Sequence, residues 1–337
     1  IRHLSDGRWQ VAGLDVVQSD ATESPALDWL LEQPELVLRQ GQVHFTDEQR
    51  ALKAVQLLDV DVVLRNRHWS HVLRVDATPA TGDGERMQLV GAFRQPLLPS
   101  TKAPWARWSG QWYAFAHLQQ VPQLPWPEAW GVQSIQGNGV ARGWVDVQHG
   151  KVTGVTADLA LAQAQLQWRD PQTANLALQQ IQGRFVGNWQ ERNWRLEGHD
   201  FSFLHTDGSL WPSSNWAVSG VAGGTALRTR VELDFADLGM ASKVVRALPV
   251  SASVQDAIAK WMPQGELRQL QLQWQASGQY QASGRVAKLM LQPQPAPQGG
   301  VGVPGVEGLS AAFDLNTNGG KASLDMQSGA LHFPGVF

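Results

Sequence analysis

The chain has 337 residues, 43% hydrophobic and 17% charged, with a net charge of −3. So even a balance lacks the concentrated basic face that nucleic acid requires, and no run of about 18 apolar residues exists to span a bilayer as a helix. Cysteine is absent, which excludes disulfides, thiol nucleophiles and thiolate zinc sites. The 33 Gly and 18 Pro, with abundant Gln and Trp, suit a β-rich chain with many turns. No signal peptide is visible. Both ends read as cut from a longer protein, so a membrane anchor is expected outside this chain.

Residues 8–17 alternate as a strand, with Trp9 and Val11 and then a shift to Leu14 and Val16. Ser24-Pro25 predicts a short helix that stops at Pro34, with Ser24 as N-cap and Pro25 at its first position. Leu36 and Leu38, then Val43 and Phe45, predict two short strands in a hairpin around Gly41. Strands are predicted at 57–64, 71–77 and 87–93, with Arg65-Asn66-Arg67-His68 and residues 79–85 as turns. A loop at 95–105 precedes a strand that starts with Trp108, Trp112 and Phe115. Residues 122–130 hold only a short helix. The Gly-rich stretch 131–150 leads into the next strand.

That strand, 152–168, organises the chain. Val155, Ala157, Leu159 and Leu161 alternate with polar or small residues. The apolar phase then slips by one, and Ala164, Leu166 and Trp168 continue between Gln163, Gln165 and Gln167. A period of two is a strand with one greasy face, and a single slip predicts a bulge at Ala162-Gln163 that bends it. The phrase Leu-Gln-Trp returns at the end of a second strand, Leu270–Trp274. A further pattern, Leu178-x-x-Ile181-x-Gly183-x-Phe185, is echoed from Val306 to Phe313. Gly187-Asn188 predicts a turn, Trp194, Leu196 and Gly198 a strand, and Phe201 and Phe203 its continuation out of phase. Strands follow at 216–220, 227–235, 267–274, 279–286 and 289–291. Asn318-Gly319-Gly320 predicts a hairpin turn. The convincing helices are Asp237–Leu248 and Ser253–Met262, capped by Asp237 and by Ser251 or Ser253, and stopped by Pro249 and Pro263.

The fold class expected is mainly β: an elongated, curled antiparallel sheet forming a repeating groove, with a few short helices. Three segments, 1–120, 121–235 and 236–337, are expected to run on as one continuous structure of stacked repeats.

Catalytic patterns are scarce. Gly137-x-Gly139-x-x-x-Gly143 has the wrong spacing for dinucleotide binding. No phosphate loop or nucleophile elbow is present. His68 and His71 fall on opposite faces of a strand end. His199-Asp200 and His205-x-Asp207 read as solvated turn residues rather than metal or acid–base pairs. Asp59 and Asp61 share a face and could serve a glycosidase, but a wet outer face opposite Val60, Val62 and Leu64 is the preferred reading. Many of the 16 Trp fall in phase with Leu and Val, which favours core or groove lining over sugar stacking. No enzyme activity, cofactor or metal is expected. The helices are too few to cover the apolar face of these strands, so that face must close on itself, dimerise or hold an apolar ligand.

Several stretches carry a family resemblance: Trp29-Leu30-Leu31-x-x-Pro34-Glu35-Leu36, then Leu58-Asp59-Val60 to Leu64-x-Asn66, Pro249 and Pro263-x-Gly265-x-Leu267-x-x-Leu270, Pro304-Gly305-Val306-x-Gly308-Leu309, and Leu331-x-x-Pro334-Gly335-Val336-Phe337. In these the chain resembles the YhdP-type branch of the AsmA-like proteins of Gram-negative bacteria, through a diffuse pattern of apolar, Gly and Pro positions without a catalytic signature. The resemblance implies an N-terminal anchor in the inner membrane, absent from this chain. It also implies a periplasmic curled sheet whose hydrophobic groove carries phospholipids toward the outer membrane, with other envelope proteins as partners.

The residues themselves agree on mechanism, since an acyl chain gains about 0.8 kcal/mol per buried methylene in an apolar trough. Candidate lining residues are Val155, Leu159, Leu161, Leu166, Trp168, Leu196, Phe203, Leu227, Leu233, Leu270, Leu272 and Trp274. The alternation leaves open whether this face meets lipid or the chain's own helices. Two other readings stand beside it: an envelope scaffold or binding module with a closed core, and a β-helical carbohydrate enzyme using Asp59 and Asp61.

Overall fold

The computed structural model describes residues 1–6, 8–11, 14–17, 29, 33–48, 54–80, 84–96, 107–119, 131–221, 228–250, 252–295 and 301–336. The short helices predicted around 26–33 and 122–130, the centre of the 95–105 loop, Ser251 and Leu227 lie outside the described residues. Strand accounts for 70% of the chain and helix for 7%, so the mainly β, antiparallel class expected from the alternation holds. The chain forms two compact units. One comprises Ile1–Pro127, Ser134–Ala164 and Phe185–Trp189, the other Glu128–Gln133, Gln165–Arg184 and Gln190–Phe337.

Unit 1 is built from β1 (Arg2–His3), β2 (Trp9–Val11), β3 (Leu14–Val17), β4 (Glu35–Asp47), β5 (Val55–Arg67), β6 (Ser70–Pro79), β7 (Met87–Arg94), β8 (Ser109–Leu118) and most of β9 (Val132–Gln148) and β10 (Lys151–Trp168). From β4 to β9 each strand pairs antiparallel with the next in sequence. β1 pairs parallel with β4 and antiparallel with β2. The Gly-rich stretch read as a lead-in is itself the 17-residue strand β9. It turns into β10 through His149-Gly150, both at positive φ (50° and 73°), as a tight hairpin demands. Its glycines allow close approach: a Cβ at Gly139 would lie 2.0 Å from the Ala160 carbonyl oxygen.

The hairpin predicted at Gly41 does not form. β4 runs unbroken past it, with Gln40 at φ 53° and register shifts on both sides of Gly41. The slip of apolar phase from Leu36 and Leu38 to Val43 and Phe45 is a bulge, the same signal that was read as a bulge at Gln163. There the bulge is found as expected, with Gln163 at φ 51°. The β5–β6 turn also falls later than predicted, at His68-Trp69, because Asn66 and Arg67 still pair with His71 and Ser70.

Unit 2 contains β11 (Leu176–Gln190, apart from its segment in unit 1), β12 (Asn193–His205), β13 (Leu210–Val221), β14 (Arg228–Asp237), α1 (Leu238–Val245), α2 (Ala252–Trp261), β15 (Gln264–Gln275), β16 (Tyr280–Leu291), β17 (Gly305–Asn316), β18 (Gly319–Asp325) and β19 (Ala330–His332). β12 to β18 form an antiparallel meander, and β19 pairs with the start of β17. The turn predicted at Gly187-Asn188 is strand, and β11 continues to Gln190. The last hairpin turns at Thr317-Asn318, one residue before the prediction, because Gly319 already pairs with Asn316. α1 starts where expected: the Asp237 carboxylate accepts from the Met240 N–H at 2.8 Å.

Bulges recur in both units, each on a residue in the left-handed region. They fall at Asp59 in β5, Asp200 in β12, Gln269 in β15, Lys288 in β16 and Gly308 in β17. For a residue with a Cβ this costs about 1–2 kcal/mol. A side chain from the adjacent strand takes up a backbone N–H that the bulge releases: Gln40 N–H donates to Asp61 at 3.0 Å, Asp200 N–H to Asn215 at 3.1 Å and Lys288 N–H to Ser310 at 3.4 Å. Each such bond returns about 1 kcal/mol.

Candidate functional site

Register fixes which residues share a face. In unit 2, Leu196, Val218, Val231, Leu272, Ala282 and Leu315 stand in one row across six strands. The row beside it runs Gly198, Trp216, Leu233 and Leu270. On the other side, Gly220, Thr229, Trp274 and Tyr280 follow Trp194. Of the candidates, Leu196, Leu233, Leu270, Leu272 and Trp274 are thus brought together on one apolar face. Much of it is open: Leu196 and Trp274 are each 39% exposed, and Leu315 38%.

Glycines let the rings lie flat on this surface. Trp216 stands opposite Gly198, where a Cβ would come 2.3 Å from its Nε1, and Trp194 stands opposite Gly220. The same pairing occurs at Gly91 and Trp112 in unit 1. Sequence reading missed these pairs, because Gly and Trp lie on different strands and only the register joins them.

The opposite face of unit 2 is polar. Glu197, Ala217, Glu232, Gln271, Ser283, Asp314 and Lys321 form one row. Arg195 donates to Glu197 at 2.7 Å and Glu232 at 3.4 Å, and the Glu197 partner raises the Arg195 pKa. A hollow of about 870 Å³ spanning β12 to β17 is lined by Arg195, Glu197, Asp234, Gln271 and Arg285 of this face, with Leu233 and Leu270 between them along the strands. Its mixed charge distinguishes it from the apolar rows.

One end of the unit 2 apolar face is covered. Phe203 is buried and stacks on Trp211 at 5.4 Å, with Phe201 and Phe235 beside them. α1 packs on β14 and β15. The Trp168 indole donates to the Ala247 carbonyl at 2.7 Å, so this candidate is held against the segment that follows α1. Leu166 lies two residues before it on the same strand, half-buried.

In unit 1 the corresponding rows are Leu36, Leu64, Leu73, Gly91, Trp112 and Val145, and Leu38, Val62, Val75, Leu89, Ala114 and Gly143. Arg142 pairs with Asp158 at 3.5 Å, which sets Asp158 on the polar side of β10. By alternation, Val155, Leu159 and Leu161 then point to the apolar side.

The polar pairs singled out in the sequence have structural partners. Asp61 accepts from Gln40 N–H and from Arg86 at 2.6 Å, while Asp59 is the bulge residue itself. Asp207 sits in the β12–β13 turn and binds Lys243 of α1 at 2.5 Å, which holds its carboxyl well below the usual range. Among the described residues no group of three His, Asp or Glu could hold a metal ion, and no helix is long and apolar enough to cross a membrane.

Each unit is an antiparallel sheet with an apolar face, in unit 2 partly covered and partly open, which defines a class of protein that presents greasy surface. The chain matches the YhdP protein family over residues 5–337 and belongs to it. No curated protein and no solved structure matches the chain.

Proposed function

We propose that this chain is a periplasmic wall segment of an AsmA-like envelope protein, and that its apolar face carries the acyl chains of phospholipids moving between the inner and outer membranes. The observation that carries the reading is the unbroken apolar row across six strands of unit 2 with shorter rows beside it, left half-open at Leu196, Trp274 and Leu315. Exposed apolar surface of this extent marks an interaction or ligand site. Membership of the YhdP family supports envelope lipid transport as the setting. The role is non-catalytic: each methylene laid on the face gains about 0.8 kcal/mol, and the head group stays in water.

Photo-crosslinking residues at Leu272 and Leu159 should capture phospholipid, while the same residue at Gln271 or Gln273 on the polar face should not. Capture only from the Gln positions would sink the proposal. A scaffold with a covered face predicts no lipid at either set, and mass spectrometry of the organic extract of the purified protein reads that outcome directly.

A further inference from the structure

At the hairpin end of the unit 1 apolar face, His71 is 7% exposed and its ring lies parallel to Trp108, with centroids 3.8 Å apart. Phe93 closes the nest from β7. The Asn66 amide nitrogen donates to the Gln33 carbonyl at 2.6 Å, so its oxygen is the atom 2.8 Å from His71 Nδ1. An amide oxygen only accepts, so Nδ1 carries the proton and Nε2 is a bare lone pair. Among the described residues, neither His71 Nε2 nor the buried Trp108 Nε1 has a hydrogen-bond partner.

We propose that His71 is an acid-sensitive latch: protonation of Nε2 drives the imidazole out of its stack with Trp108 and uncovers this end of the apolar face. A charge formed there meets no carboxylate. Facing His71 from β5 and β7 are Asn66 and Phe93. Their charged neighbours Arg65, Arg67 and Arg94 are cations on the opposite face, and Arg107 precedes Trp108. Glu35 is bound to Arg65, Asp61 to Arg86 and Asp76 to Arg74. Asp59 lies at its bulge, in the far half of β5.

Burial lowers the His71 pKa below its ordinary 6.5, opposed by the neutral Gln95 amide, which lies near the ring, short of hydrogen-bond geometry to Nε2, and favours the charged form. The sign follows from linkage. Above 6.5 the folded and unfolded states are both neutral and the nest has its full stability. As pH falls through that value the unfolded chain takes up a proton that the folded nest refuses, and stability is lost.

The test uses the whole chain carrying 5-fluorotryptophan and ¹³C-histidine, titrated across about pH 8 to 5, where histidine changes charge. Trp108→Phe assigns the Trp108 fluorine signal and His71→Phe the His71 signal. His71 should titrate below the ordinary histidine value of 6.5, and Trp108 should move to a solvent-exposed shift with the same midpoint. His71→Phe keeps a ring for the stack but no proton site, and its Trp108 signal should stay fixed. Asn66→Asp, which offers a carboxylate to Nδ1, should raise the midpoint. The latch is overturned if Trp108 moves equally in His71→Phe, if His71 titrates at or above 6.5, or if Asn66→Asp leaves the midpoint unchanged.

Discussion

Each unit closes one end of its apolar face with an aromatic nest, and the two nests differ in how they treat their polar atoms. In unit 2, Trp211 stacks on Phe203 and its Nε1 donates at 2.8 Å to Ser214 Oγ, which is only 1% exposed. Ser214 in turn lies 3.4 Å from the Phe201 carbonyl. In unit 1, Trp108 stacks on His71, and both ring nitrogens that face inward lack partners among the described residues. A buried polar group is cheap when bonded and expensive when orphaned. The first nest is therefore a fixed closure that titrates nothing. The second holds together only while its histidine is neutral.

The comparison breaks most sharply at Trp211. Trp211→Ala removes the centre of the satisfied nest and should cost about 3–5 kcal/mol, read by denaturant unfolding. Trp108→Ala should cost clearly less, because it also removes an unpartnered N–H. Equal losses would mean that the bonded and orphaned nitrogens are energetically alike. A narrower cut is Ser214→Ala, which leaves the Trp211 N–H buried and unpaired and should cost about 1–3 kcal/mol. Its effect should not vary with pH, in contrast to unit 1. Gly198→Val tests the open rows beside this nest. Its Cβ would meet Trp216 Nε1 at 2.3 Å, so the ring must lift. Overpacking of this kind costs about 1–3 kcal/mol, and Trp216 fluorescence should shift relative to the parent protein.

Much of the fold was legible because alternation is a strong signal when strands are long. The apolar rows at Leu270, Leu272 and Trp274, and the bulge at Gln163, came directly from it. The same kind of slip at Gly41 was misread as a hairpin, since glycine between two short apolar runs signals a turn equally well. Only pairing across the whole of β5, from Arg65 back to Val55, separates the two. β9 was hidden for the opposite reason. Its glycines read as a lead-in to the next strand, yet at Gly139 the neighbouring backbone comes too close for a Cβ, and at Gly137 it leaves only a tight fit. The His71–Trp108 nest was invisible, because 37 positions separate its rings and no local pattern links a lone His to a Trp beyond a proline-rich loop.

The smallest effect separates the bulges from the nests. Gln163 sits at φ 51°, and its side-chain oxygen accepts from Asn138 at 3.3 Å. Gln163→Gly removes the conformational penalty of a Cβ in the left-handed region and loses that one exposed hydrogen bond, so the two changes nearly cancel, to within about 1 kcal/mol. Gln163→Val keeps the penalty, adds β-branching and loses the bond, and should cost about 1–2 kcal/mol. If the bulge exists to bend β10, Gly should keep the bend and Val should favour the regular strand, turning Leu166 and Trp168 to the other face. The Trp168 indole would then lose its bond to the Ala247 carbonyl, and its fluorescence would respond in Gln163→Val alone. A Trp168 signal unchanged in both variants would show that the pairing of neighbouring strands, rather than the residue at the slip, holds the bulge in place.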